Sequence, residues 1–176
     1  MTKIITTKEI NKILNQGIIT PEILGYAAYS VNKRAKNWRD KETEYRNKRK
    51  WNHFWFDKYD NEFKAKEQKQ KYYNIKQTIC EMFEPTKIHS LKQWRWNRNK
   101  YEDELVTIYF LCYEIGGFFF HQPINDIKDI NLPIEKLDDN FETFGDNITN
   151  LMSMQMVKKI LNGLNEGLYQ IKFENN

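Results

Sequence analysis

Cys80 and His89 stand nine residues apart, and so do Cys112 and His121. Two thiolates and two imidazoles are a donor set that a tetrahedral zinc ion accepts, since it takes sulfur and nitrogen together. Ligand pairs of that kind usually sit only about two to five residues apart. Neither pair has that spacing, so the expectation is no metal and no cofactor. Both cysteines then read as small buried thiols and both histidines as surface imidazoles.

A denser chemistry lies in the cations. Lys33, Arg34, Lys36 and Arg39 crowd one stretch, and Arg46, Lys48, Arg49 and Lys50 crowd the next. Further on, Trp94-Arg95-Trp96-Asn97-Arg98 sets two indoles beside two guanidiniums. Cations neutralise phosphates and release counterions, while indole and guanidinium planes stack on unpaired bases. Lys33, Arg34, Lys36, Arg39, Arg46, Lys48, Arg49, Lys50, Trp94, Arg95, Trp96 and Arg98 are therefore the predicted contacts to nucleic acid or a nucleoprotein. The competing reading is a solvated helix face, with Glu42, Glu44, Asp57, Asp60, Glu62 and Glu67 as ordinary pairing partners.

The net charge of +4 hides an asymmetry. Residues 32–100 carry twenty basic and nine acidic side chains, whereas residues 101–176 carry five basic and thirteen acidic. Asp126, Asp129, Glu135, Asp138, Asp139, Glu142 and Asp146 supply much of the second excess. Such a cluster suits a solvated loop, or a mimic of phosphate on a partner's basic groove.

Arg46 and His53 with six residues between them resemble the Arg-x4–6-His motif of the HEPN ribonucleases. That resemblance spans eight residues and implies an arginine and a histidine at one helix end, acting on a phosphate. No P-loop, dinucleotide fingerprint, nucleophile elbow or paired zinc-protease histidines accompany it. A non-enzymatic binding protein is the expected class. Lys, Asn, Ile, Tyr and Phe are abundant, as in proteins encoded by AT-rich genes. A phage or mobile-element accessory protein, such as an anti-CRISPR-like inhibitor of a host defence complex, is one concrete form.

The elements that must carry these residues are predicted to be mainly helical. At 176 residues the chain suits a single domain, with a basic hairpin over 1–84 and an acidic region over 85–176 completing the core. Thr6 and Glu9 form a capping box, and Gly17 ends a short first helix. Thr20-Pro21 starts a second helix. These two helices also read as a helix-turn-helix, with Tyr26 to Lys36 in a major groove. The apolar seam of the second runs through Leu24, Ala28, Val31, Ala35, Trp38 and Tyr45, interrupted by Glu42. Leu24, Val31, Ala35 and Trp38 are also the predicted contact of a homodimer in a helical oligomerisation protein.

No glycine or proline occurs between Tyr26 and Glu84. One straight helix through that tract would be about 95 Å long, against a radius of gyration of roughly 16 Å for such a chain. A fold-back over Trp51 to Asn61 into two antiparallel arms resolves the conflict, with the polar run Lys64 to Lys71 projecting beyond the core. Ser90 and Gln93 read as another capping box. Leu105 to Phe120 reads as helix in preference to hairpin, and Asn147 to Asn162 as a further helix. Leu168 to Phe173 reads as a small β element near the C-terminus. The apolar stretch Leu105 to Phe120 is too short and too polar to span a bilayer, and a cytoplasmic location is expected.

Overall fold

The structure is a computed structural model and describes residues 5–51, 57–137 and 150–173, with side chains described except at 49–51 and 57–59. In chain order the elements are α1 (Thr7–Leu14), β1 (Ile18–Ile19), α2 (Pro21–Trp51), α3 (Asp57–Cys80), β2 (Lys87–Asn97), β3 (Glu102–Ile115), β4 (Phe118–Ile124), β5 (Ile134–Lys136), α4 (Met154–Asn165) and β6 (Gln170–Ile171). The fold is α+β. A four-stranded sheet of order β4-β3-β2-β5 occupies much of the region predicted to be helical, and β1 pairs with β6 in a small second sheet.

The helical half follows local chemistry. Thr6 Oγ1 accepts from the Glu9 amide at 3.3 Å and the Glu9 carboxylate accepts from the Thr6 amide at 2.8 Å, so the capping box holds α1. The helical pair α2–α3 folds back on itself, but of the predicted break Trp51 to Asn61 the residues Asp57 to Asn61 already belong to α3, and residues 52–56 lie outside the described residues. Glu42 meets Lys69 and Arg46 meets Glu62, so residue numbers rise on one helix as they fall on the other, which makes the pair antiparallel. Leu24, Ala28, Val31 and Ala35 are fully buried within this single chain, while Trp38 is half-buried. Glu42, the interruption in the seam, is itself buried and takes Arg46 and Lys69 as partners. The run Lys64 to Lys71 does not project. It packs on α2 through the fully buried Ala65 and through Lys69. The first turns of α2, Tyr26 to Val31, are buried and cannot enter a DNA groove.

Residues 87–124 overturn the mainly helical reading. Leu105 to Phe120 forms most of β3, a turn and the start of β4. Val, Thr, Ile, Tyr and Phe in succession fit a pleated surface. Gly116 and Gly117 at φ +57° and +83° supply the left-handed pair that a tight hairpin turn requires. The Ser90–Gln93 signature lies inside β2 and caps nothing. Beyond its core end β2 is exposed from Lys92 to Trp96, while β3 alternates half-buried Glu104, Val106 and Ile108 with exposed Asp103, Leu105 and Thr107. At the hairpin tip Asn97 Oδ1 accepts from the Asn99 and Lys100 amides at 3.0 and 3.3 Å, and Tyr101 adopts φ +54°.

The core joins both halves. Tyr113, Ile115, Phe118 and Phe120 pack with Ile23, Leu24, Val31, Ile79 and the α4 residues Met156, Val157 and Ile160. Gly25 lets α2 approach the end of β3 directly: a Cβ there would lie 2.1 Å from the Ile115 carbonyl oxygen. Ser30 Oγ accepts from the Met152 amide and the Tyr26 hydroxyl donates to Asn150 O, which moors the chain ahead of α4. Ser153 caps α4, placing its start after the predicted Asn147. The predicted C-terminal strand is β6, paired in parallel with β1. Among the described residues no helix is long and apolar enough to cross a membrane.

Candidate nucleic-acid interface

The predicted contacts whose side chains are described separate into three groups. Arg46 spends its guanidinium on Glu42 and Glu62, at 2.9 and 3.2 Å, and Lys48 is paired with Glu44. These two cations brace the hairpin and its surface. The side chains of Arg49 and Lys50 lie outside the described residues, as does His53, so the ribonuclease-like motif has no described geometry. Asp138, Asp139, Glu142 and Asp146 lie outside them too.

Lys36 and Arg39 line a cleft of about 560 Å³ at the free edge of β4. Its walls come from α2 (Tyr29, Asn32), α3 (Gln70, Tyr73, Lys76, Gln77) and the sheet (Phe110, Phe119 to Pro123). No acidic residue is among its lining. Lys33 lies on the same central turns of α2, with its ammonium 5.9 Å from the Tyr29 ring, and Arg39 has Asp40 at 3.8 Å. Arg34 is half-buried on the same turns.

Lys76 is the residue here that sequence reading missed. It is only 9% exposed, and its ammonium donates to the His121 carbonyl on the β4 edge at 2.8 Å. Burial, with a further push from Lys36, lowers its pKa to about 8. Lys36 is lowered by burial and by Arg39 and Lys33. Like charges thus gather where desolvation already disfavours them, an arrangement that an incoming anion relieves. Tyr73 and the strongly exposed Phe119 set aromatic surfaces beside these cations. On α3 Lys76 stands among apolar neighbours, and only the strand edge reveals its partner.

Trp94, Arg95, Trp96 and Arg98 form a separate surface on the exposed hairpin arm, and none of them lines the cleft. Trp94 and Trp96 share one face of β2, with Leu105 opposite Trp94. Their exposures are 66% and 57%, far above those of core aromatics. Arg95 points to the other face, opposite Glu104.

Behind the cleft, three of the four candidate zinc ligands converge. His89 Nδ1 lies 2.8 Å from His121 Nε2, and donor atoms of His89, Cys112 and His121 all fall within 4.8 Å of one another. Cys80 is not among them. It lies on the helical side, beside Gln122 and Lys76. Burial and neighbouring cations push His121 down to about 4 and lower His89, while burial raises the Cys112 thiol to about 11. Both shifts favour the neutral imidazole.

A larger hollow of about 740 Å³ between α1 and the β3–β4 turn is mostly apolar, with Glu9, Glu22 and Lys12 at its rim. It shares no residue with the basic cleft. Comparison of the chain with protein-family models, with curated proteins and with solved structures returns no match.

Proposed function

We propose that this protein binds nucleic acid, free or within a nucleoprotein, and performs no catalysis. The cleft at the β4 edge carries the reading: Lys36, Arg39 and Lys76 face one hollow whose lining contains no carboxylate. Three cations in a partly desolvated site suit a phosphate backbone. Tyr73 and Phe119 give an unpaired base a surface to stack on, which favours single-stranded segments. Trp94 and Trp96, on one face of the arm, provide a second stacking surface, with Arg95 on the opposite face of the same strand. A cytoplasmic setting accompanies this reading, and blocking a nucleoprotein defence complex is one use of it.

Fluorescence anisotropy with labelled single-stranded RNA, single-stranded DNA and duplex DNA tests the proposal across a salt series. Affinity should fall steeply with salt. On single strands, Arg39→Gln and Lys36→Gln should each lower the slope of log K against log salt by about 0.7. Binding that ignores salt, or that is unchanged when both cations are removed, would reject the cleft as a phosphate site.

A further inference from the structure

We propose that His89, Cys112 and His121 form a zinc site, as the three donors that converge among the described residues. The three residues come from three adjacent strands, and pairing register alone brings them together. Cys112 on β3 lies opposite His121 on β4 and Lys87 on β2, and His89 follows Lys87 by two residues on the same face. His89 and Cys112 are 7% and 5% exposed, so two of the three donors are withdrawn from bulk water.

The spacing fits a small tetrahedral cation. Ligands about 2.0–2.3 Å from zinc stand roughly 3.3–3.8 Å apart. The two ring nitrogens, at 2.8 Å, have to part by about half an ångström, and the sulfur has to close by about one at most. Imidazole coordinates in its neutral form, through one ring nitrogen. As the Zn–S bond forms, the Cys112 S–H bond breaks and its proton leaves to solvent. The soft thiolate and two imidazoles favour zinc over calcium or magnesium, which take oxygen donors.

A second observation supports the assignment. The other nitrogen of His89, Nε2, faces Glu135 Oε2 at 3.6 Å, and that carboxylate is held by Lys87 Nζ at 2.7 Å. A carboxylate behind a histidine is the usual support of a zinc-bound imidazole, since it places the proton on the far nitrogen and orients the ring. Glu135 reaches this position because β5 pairs with β2 at His89.

Cobalt(II) substitutes for zinc and reports thiolate ligation by its colour, so the reduced, chelator-treated, untagged chain should be titrated with Co²⁺ and then with Zn²⁺. The expected result is one cobalt per chain, a thiolate-to-metal charge-transfer band, and loss of that band when zinc displaces cobalt. Cys112→Ser should abolish the band, His121→Gln should weaken binding at least 100-fold, and Glu135→Gln should weaken it by roughly 10- to 100-fold. Cys80→Ala should bind as the wild type does.

Far-UV circular dichroism checks that each variant is folded, and Glu135→Gln, which removes no ligand, still tests the site if Cys112→Ser does not fold. Zinc at a hundredfold excess over Kd should also raise the Tm of the wild type by about 5–10 °C. No cobalt band at millimolar metal, or a band carried by Cys80 in place of Cys112, would overturn the assignment. None of these readouts involves nucleic acid, so they stand or fall separately from the proposed binding function.

Discussion

An ammonium group nine-tenths buried beside other cations is held there against its own solvation. For Lys76 the lowering to about 8 corresponds to a cost on the order of 3 kcal/mol relative to a free lysine. The hydrogen bond to the His121 carbonyl offsets about 1 kcal/mol of that. Lys76→Met keeps the aliphatic stem and removes the charge. It should raise stability by roughly 1–2 kcal/mol in urea unfolding while weakening single-strand binding. A destabilised Lys76→Met would mean that the lysine serves the fold and not the ligand. The same trade does not hold at Arg46 or Lys48, whose charges are already matched by carboxylates on the hairpin.

At the scale of elements, the hairpin and the sheet are held by different devices. Buried Glu42 connects α2 to α3 through Lys69, so Glu42→Ala strands Lys69 and part of Arg46. It should cost about 1–2 kcal/mol, read as a lower urea midpoint, with the exposure of Arg46 keeping the loss below that of a fully buried pair. Glu44→Ala removes a pair that stands in solvent and should leave the midpoint unchanged. Gly25→Ala drives a methyl group into the Ile115 carbonyl and should cost about 3 kcal/mol by thermal or chemical unfolding.

These elements were unequally legible. The capping box and the Thr20-Pro21 start are local signals, and each gave its element. Strand β2 was hidden because its outer half is exposed on both faces, so residues such as Lys92, Gln93 and Arg95 show no alternation of apolar and polar. The apolar steps Leu105, Ile108, Cys112 and Ile115 fit a helix by coincidence of spacing. Gly116-Gly117 was the better guide, and it pointed to a hairpin. Convergence of His89, Cys112 and His121 depends on strand register, which spacing along the chain does not carry.

For the whole molecule, the decisive question is whether the cleft and the arm grip one strand together. Trp94 lies seven residues along β2 from Lys87, which is level with Cys112 and His121; at about 3.3 Å per residue that is roughly 23 Å. An oligonucleotide too short for that span engages one surface only. A longer one engages both, and the second contact is then intramolecular and benefits from effective concentration. Affinity should therefore rise in a step as oligonucleotide length increases, beyond the gradual rise from added charge. Trp94→Ala combined with Trp96→Ala should remove the step and leave short-oligonucleotide binding intact. Because both indoles are largely exposed, the unfolding midpoint should not move. Anisotropy on a length series, with wild type and the double variant in parallel, makes the measurement. A smooth length dependence shared by both proteins would mean that the arm meets a partner other than the strand held in the cleft.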